Sequence, residues 1–165
     1  MATVTLKGNE FHTSGQLPEV GQPAPDFSLV AADLSAKTLA DFKGQRVILN
    51  IFPSVDTDTC AQSVRTFNEK ASGLDNTTVL CISRDLPFAQ TRFCGAEGLK
   101  NVVNLADTRD RNFGKTYGLE FTDGPLEGLL SRVVMVIDEN GIVKHAQQVA
   151  EIVDEPDYNA ALSVL

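Results

Sequence analysis

Short apolar runs bounded by turn residues alternate with helix-length segments through the middle of the chain, and this rhythm restricts the fold more than any other feature. Strand candidates at 46–52, 77–83 and 101–105 alternate with helix candidates at 59–71, 86–97 and 109–117, an order that indicates an α/β architecture. Residues 131–138 (SRVVMVID) and 141–149 (GIVKHAQQV) read as two further strands joined by Glu139-Asn140-Gly141. Asn-Gly is a strong hairpin signal, so these two are expected to be antiparallel neighbours and the sheet to be mixed. Residues 2–14 alternate β-branched and polar side chains around Lys7-Gly8-Asn9, an N-terminal hairpin. Prolines 18, 23 and 25 suit an extended connection, after which 27–30 forms a short strand, and a short helix is expected after Pro156. Gly118 to Gly128 reads as a long loop, either lining an entrance to a site or serving as a solvent-exposed connector.

At 165 residues and 42% hydrophobic content, the chain supports one packed core, so a single domain over 1–165 is expected. Fourteen basic against 22 acidic residues give a net charge of −8, with no Lys/Arg cluster, which argues against nucleic acid as a partner. No stretch approaches a membrane span and no apolar segment follows a basic start, so no membrane association and a cytoplasmic location are expected. The two histidines, His12 and His145, have no second ligand at metal spacing and read as strand-surface residues. There is no CxxC, GxGxxG or GxxxxGK[ST] motif, so neither a dithiol active site of that type nor a dinucleotide or triphosphate cradle is expected. The acid pairs Asp56/Asp58 and Asp107/Asp110 read as caps and turns rather than general acids.

The segment Val47 to Phe52 (VILNIF) is a buried-strand pattern stopped by Pro53, which cannot donate to a ladder. Thr57, Asp58 and Thr59 are N-cap types, and Val64, Phe67 and Ala71 then recur at helical spacing, so Cys60 falls in the first turn of a helix. An unperturbed thiol, with pKa about 8.5, is only about 3% thiolate at pH 7. Lowering it by about 2.5 units needs roughly 3.4 kcal/mol, whereas a helix N-terminus supplies at most about 2. A nucleophilic Cys60 would therefore need a cation beside it. The other reading is a small buried hydrophobe. Cys94 falls on a helix over 86–97, with Asp85 as its cap and Pro87 in its first turn, weakened by Gly95 and Gly98. Cys81, inside Val79-Leu80-Cys81-Ile82, packs in a strand.

Pro53, Thr57 and Cys60 match the PxxxTxxC motif of the peroxiredoxins, and Ser83 to Cys94 (SRDLPFAQTRFC) resembles the signature of their thiol peroxidase branch. An early PxxGxxAPxF-like segment (Pro18, Gly21, Ala24, Pro25, Phe27) extends the resemblance over nearly the whole chain. The resemblance implies a thioredoxin-like fold and an atypical two-cysteine mechanism. In it Cys60 attacks hydrogen peroxide or an organic hydroperoxide, Cys94 resolves the sulfenic acid as a disulfide within one subunit, and thioredoxin recycles the enzyme. It assigns Arg132 as the cation, Thr57 as an orienting hydroxyl and Pro53 as a shield for the cysteine. It also implies a homodimer and requires no metal, flavin or other cofactor. On the residue pattern alone, an arginine at a strand end is commonly solvated, and Arg65, Arg84 and Arg92 remain alternatives. A non-enzymatic binding module of the same fold, its cysteines used for packing, is the competing reading.

Overall fold

The computed structural model describes residues 1–165. Strands β1 (Thr3–Leu6) and β2 (Asn9–His12) form the expected hairpin, with Leu6 paired to Asn9. Lys7 and Gly8 between them have φ of 51° and 85°, the two positive values that let a two-residue turn follow the strand twist.

A seven-stranded mixed sheet carries the rest of the fold. In chain order come β3 (Ser28–Val30), β4 (Ala36–Thr38), β5 (Arg46–Ile51), helix α1 (Asp58–Ala71), β6 (Thr77–Ser83) and α2 (Pro87–Glu97). Then follow β7 (Val103–Ala106), α3 (Asn112–Thr116), β8 (Val133–Ile137), β9 (Val143–Gln148) and α4 (Tyr158–Leu162). The spatial order is β4-β3-β7-β6-β5-β8-β9, with β5, β6 and β7 parallel and the flanking strands antiparallel. The β8/β9 pair is antiparallel, as its Asn-Gly turn indicated.

Successive residues of β5 point to opposite faces, and both faces are covered, which is why the strand is apolar except for Arg46 at its start and Asn50, a buried amide that bonds Ser63. Val47, Leu49 and Ile51 join Leu80, Ile82, Val133 and Met135 in a layer closed by Phe27, Phe113 and Tyr117. Ile48 and Phe52 join Cys81, Val134 and Val136 in the other layer, under Val64 and Phe67 of α1, Phe93 of α2 and Ala161 of α4. All three cysteines belong to this second layer.

Three elements differ from expectation. β4 has no apolar alternation; it is a three-residue edge strand held by a turn in which Asp33 accepts bonds from the Ser35 backbone and hydroxyl. β7 begins at Val103 because Asn101 is taken up by two hydrogen bonds to Asn68 of α1. α3 shrinks to five residues because Arg111 just before it sits at φ 59°, outside the helical region. The register places Ile51 opposite both Ile82 and Val133. The end of β5, the end of β6 and the start of β8 therefore meet at one end of the central strands, and Pro53, Asp85 and Arg132 emerge there.

Candidate active site

Cys60 is the third residue of α1 and has no exposed surface. Arg132, one residue before β8, is 2% exposed, and its Nη2 donates to Cys60 Sγ at 3.3 Å. Its Nε donates to the Ile152 carbonyl at 2.9 Å, and its Nη1 is buried without a partner. Arg132 makes no ion pair with any carboxylate. Burying such a charge is costly unless it is balanced, and the Cys60 sulfur is the side-chain atom it touches. The other candidate arginines lie elsewhere. Arg65 pairs with Glu97 at 2.7 Å, Arg92 with Asp56 at 3.3 Å, and Arg84 with Asp107 and Glu120.

Thr57 occupies the N-cap of α1, but its side chain makes no cap bond. The hydroxyl instead donates to the Ser54 carbonyl at 3.1 Å, which leaves its oxygen lone pairs free as acceptors. Pro53 is buried where the chain leaves β5. Pro53, Thr57 and Arg132 share the lining of a cleft of about 370 Å³ with Leu6, Leu126 and Ile152. Leu6 comes from the N-terminal hairpin. Leu126 comes from the glycine-rich segment 118–128, which is no simple connector: its Phe121 packs on Phe11 with ring centroids 4.4 Å apart.

Cys94 lies on α2, 8% exposed, and accepts a bond from Asn104 Nδ2 at 3.0 Å. Burial pushes its thiol pKa up, against the opposing effect of the Asn104 bond. Cys81, wholly enclosed in β6, is pushed up to about 12 by burial, as its strand pattern suggested. All three thiols are free. α2 ends at Gly98, at φ 68°, where a left-handed residue closes a helix at little cost only if it is glycine.

Asp85 was expected to cap α2 and does not; Leu86 is the N-cap, without a side-chain bond. The Asp85 carboxylate turns instead toward the loop before α1, accepting from Ser54 Oγ at 2.7 Å, the Val55 N–H at 2.9 Å and Ser83 Oγ at 2.6 Å. No local pattern distinguishes this from a cap, because the loop partners are about thirty residues away. Asp107 is likewise more than a turn residue: it is buried against Arg84 and accepts the Gly114 N–H. His12 and His145 are both half-buried; His12 is bonded to Asp123 at 2.8 Å, and the Nε2 of His145 is buried without a partner.

The redoxin family model matches residues 19–162. Over 165 residues the chain is 53% identical to a thiol peroxidase of Mycobacterium bovis, covering 100% of this chain and 99% of that protein. The chain belongs to the redoxin family, in the thiol peroxidase branch of the peroxiredoxins. The solved structure of a peroxiredoxin-like protein from Aquifex aeolicus superposes with a TM-score of 0.92 at 37% identity, covering 100% of this chain and 98% of that one. A thiol peroxidase from Chromobacterium violaceum gives 0.87 at 25% identity, covering 98% and 93%. The expected thioredoxin-like fold is thus confirmed, and thiol-dependent peroxide reduction follows from family membership. No helix is long and apolar enough to cross a membrane.

Proposed function

We propose that Cys60 is the nucleophile of this peroxidase and that Arg132 and Thr57 bind the peroxide beside it. The observation carrying this reading is the 3.3 Å contact between Cys60 Sγ and a buried guanidinium with no carboxylate partner. The Cys60 thiolate attacks one peroxide oxygen; the S–O bond forms as the O–O bond breaks. The departing oxygen takes up a proton and leaves as water or an alcohol, and Cys60 becomes a sulfenic acid. Charge grows on that oxygen in the transition state, where a fixed donor lowers the barrier most. Arg132 Nη1, buried and unengaged, is such a donor. Thr57 Oγ1, its proton committed to Ser54, accepts the peroxide O–H. Pro53 narrows the approach.

Cys94 is the resolving residue. Its thiolate attacks the Cys60 sulfur, the disulfide forms within one subunit, and the sulfenic oxygen leaves as water. The raised pKa of Cys94 in its buried setting and the glycine at the end of α2 support a step in which the last turn of α2 opens first. A dithiol protein, thioredoxin, then reduces the disulfide. Hydrogen peroxide and organic hydroperoxides are the substrates, the apolar walls Leu6, Leu126 and Ile152 favouring the latter. The chain works as a cytoplasmic, single-domain homodimer that needs no cofactor.

Peptide mapping of reduced protein after one equivalent of hydrogen peroxide tests the assignments. A Cys60–Cys94 disulfide with Cys81 free is expected. Cys60→Ser should abolish turnover, and Cys94→Ser should consume about one equivalent without recycling. Full activity in Cys60→Ser, or oxidation led by Cys81, would overturn the reading.

A further inference from the structure

We infer that Asp85 is a positioning residue for the peroxide step, one that sets the Thr57 hydroxyl through Ser54 and ties the Cys60 loop to the helix bearing Cys94. This rests on the proposed role of Cys60. The loop Ser54–Thr57 is folded by bonds of its own that converge on Ser54. One carboxylate anchors Ser54 and Val55 from outside the loop, taking Ser54 Oγ on one oxygen and the Val55 N–H on the other. Ser54, so held, organises the turn that leads into α1. Its Oγ accepts the Asp56 N–H at 3.1 Å, and its carbonyl accepts both the Thr57 N–H at 3.2 Å and the Thr57 hydroxyl at 3.1 Å. The direction in which Thr57 presents its free lone pairs is therefore decided two bonds away, at Asp85.

The same carboxylate reaches the other redox helix. Asp85 accepts Ser83 Oγ, and Ser83 Oγ accepts Nε2 of Gln90, which is 1% exposed and also donates to the Leu105 carbonyl at 3.0 Å. Gln90 lies one turn before Cys94 on α2. The start of α2 is thus fastened to the Cys60 loop and to β7, which confines opening of the helix to the part beyond Gln90. Opening can then release Cys94 without disturbing the Thr57 geometry that the next peroxide requires.

The test measures sulfenic acid formation by quenched-flow dimedone trapping and mass spectrometry in a Cys94→Ser background, well below each variant's unfolding midpoint. Asp85→Ala should slow the second-order peroxide reaction by about 10- to 100-fold, the range expected for a misplaced reacting group. Ser54→Ala, which retains the carboxylate and its two other bonds, should show the same kind of defect and serves alone if Asp85→Ala does not fold. The double variant should be no slower than the worse single one, because both changes break one path. Asp85→Asn, which keeps an acceptor for Val55, should recover part of the rate. Unchanged peroxide rates in folded Asp85→Ala or Ser54→Ala, or fully multiplicative losses in the double variant, would overturn the inference. Cys60→Ser measured alongside separates the two levels: activity there removes the nucleophile assignment itself, whereas an inactive Cys60→Ser beside a normal Asp85→Ala removes only the role of Asp85.

Discussion

Two arginines are buried at the same end of the central strands, and they are buried in opposite ways. Arg84, just past β6, has a side chain 1% exposed and is fully answered: Asp107 at 3.1 Å, Glu120 at 2.9 Å, and the carbonyls of Gly128 and Arg111. Arg132, just before β8, has one carbonyl, one sulfur and a free Nη1. A paired buried cation holds structure together, since removing it strands its partners. An unpaired one is poorly compensated in the resting fold and has capacity left for an anion that arrives. The same residue type is thus a fastener at one strand end and a charge donor to chemistry at the other.

The largest effect expected from this comparison is on Arg84. Arg84→Met leaves two carboxylates facing a dry site and should cost roughly 3–5 kcal/mol of stability, read as a shift of the denaturant midpoint. Peroxide reactivity of the protein that remains folded should be little changed. Arg132→Met should do the reverse. The rate of the first peroxide step should fall by about 10²–10³-fold, the cost of losing one transition-state donor, while the unfolding midpoint moves far less than in Arg84→Met because no carboxylate is left stranded. Large destabilisation by Arg132→Met with normal chemistry would abolish the distinction.

A subtler probe is Gly114→Ala. An added Cβ would lie 2.7 Å from both Arg84 Nη2 and Leu130 Cδ2, so it should cost about 1–3 kcal/mol by overpacking without touching the Arg132 site. The smallest perturbation is pH. Cys94 and Cys81 are both raised above an ordinary thiol by burial, Cys81 to about 12, so each is thiolate only at higher pH than a free cysteine. In native protein the alkylation rate of Cys94 should climb with rising pH beyond the usual thiol range, and Cys81, which has no exposed surface, should stay unmodified over the range in which Cys94 reacts. Rapid alkylation of Cys81 at neutral pH, followed by mass spectrometry, would show that its strand opens.

Much of this is legible in the residues because it depends on neighbours in sequence. Gly8 and Gly141 turn hairpins through their own freedom at positive φ, and Pro53 to Cys60 announces a strand end and a helix start within eight residues. The features that local pattern misreads depend on distant partners. Asp85 looks like a helix cap and Asp107 like a turn residue, and nothing adjacent to either reveals Ser54 or Arg84 as the group it meets. Polar β4 carries no strand signal because an edge strand needs only a partner's backbone.

The sequence by itself determined the α/β order of elements, the placement of Cys60 in a first helical turn, and the burial of Cys81, since local periodicity and turn chemistry act over a few residues. Among the four arginines that the residue pattern left open, with Arg132 named by the family resemblance alone, only the tertiary structure decided which one meets the sulfur. That choice comes from sheet register: β8 runs antiparallel beside β5, which carries Arg132 to the end where α1 begins. It gives Arg65 and Arg92 to surface carboxylates and Arg84 to buried ones.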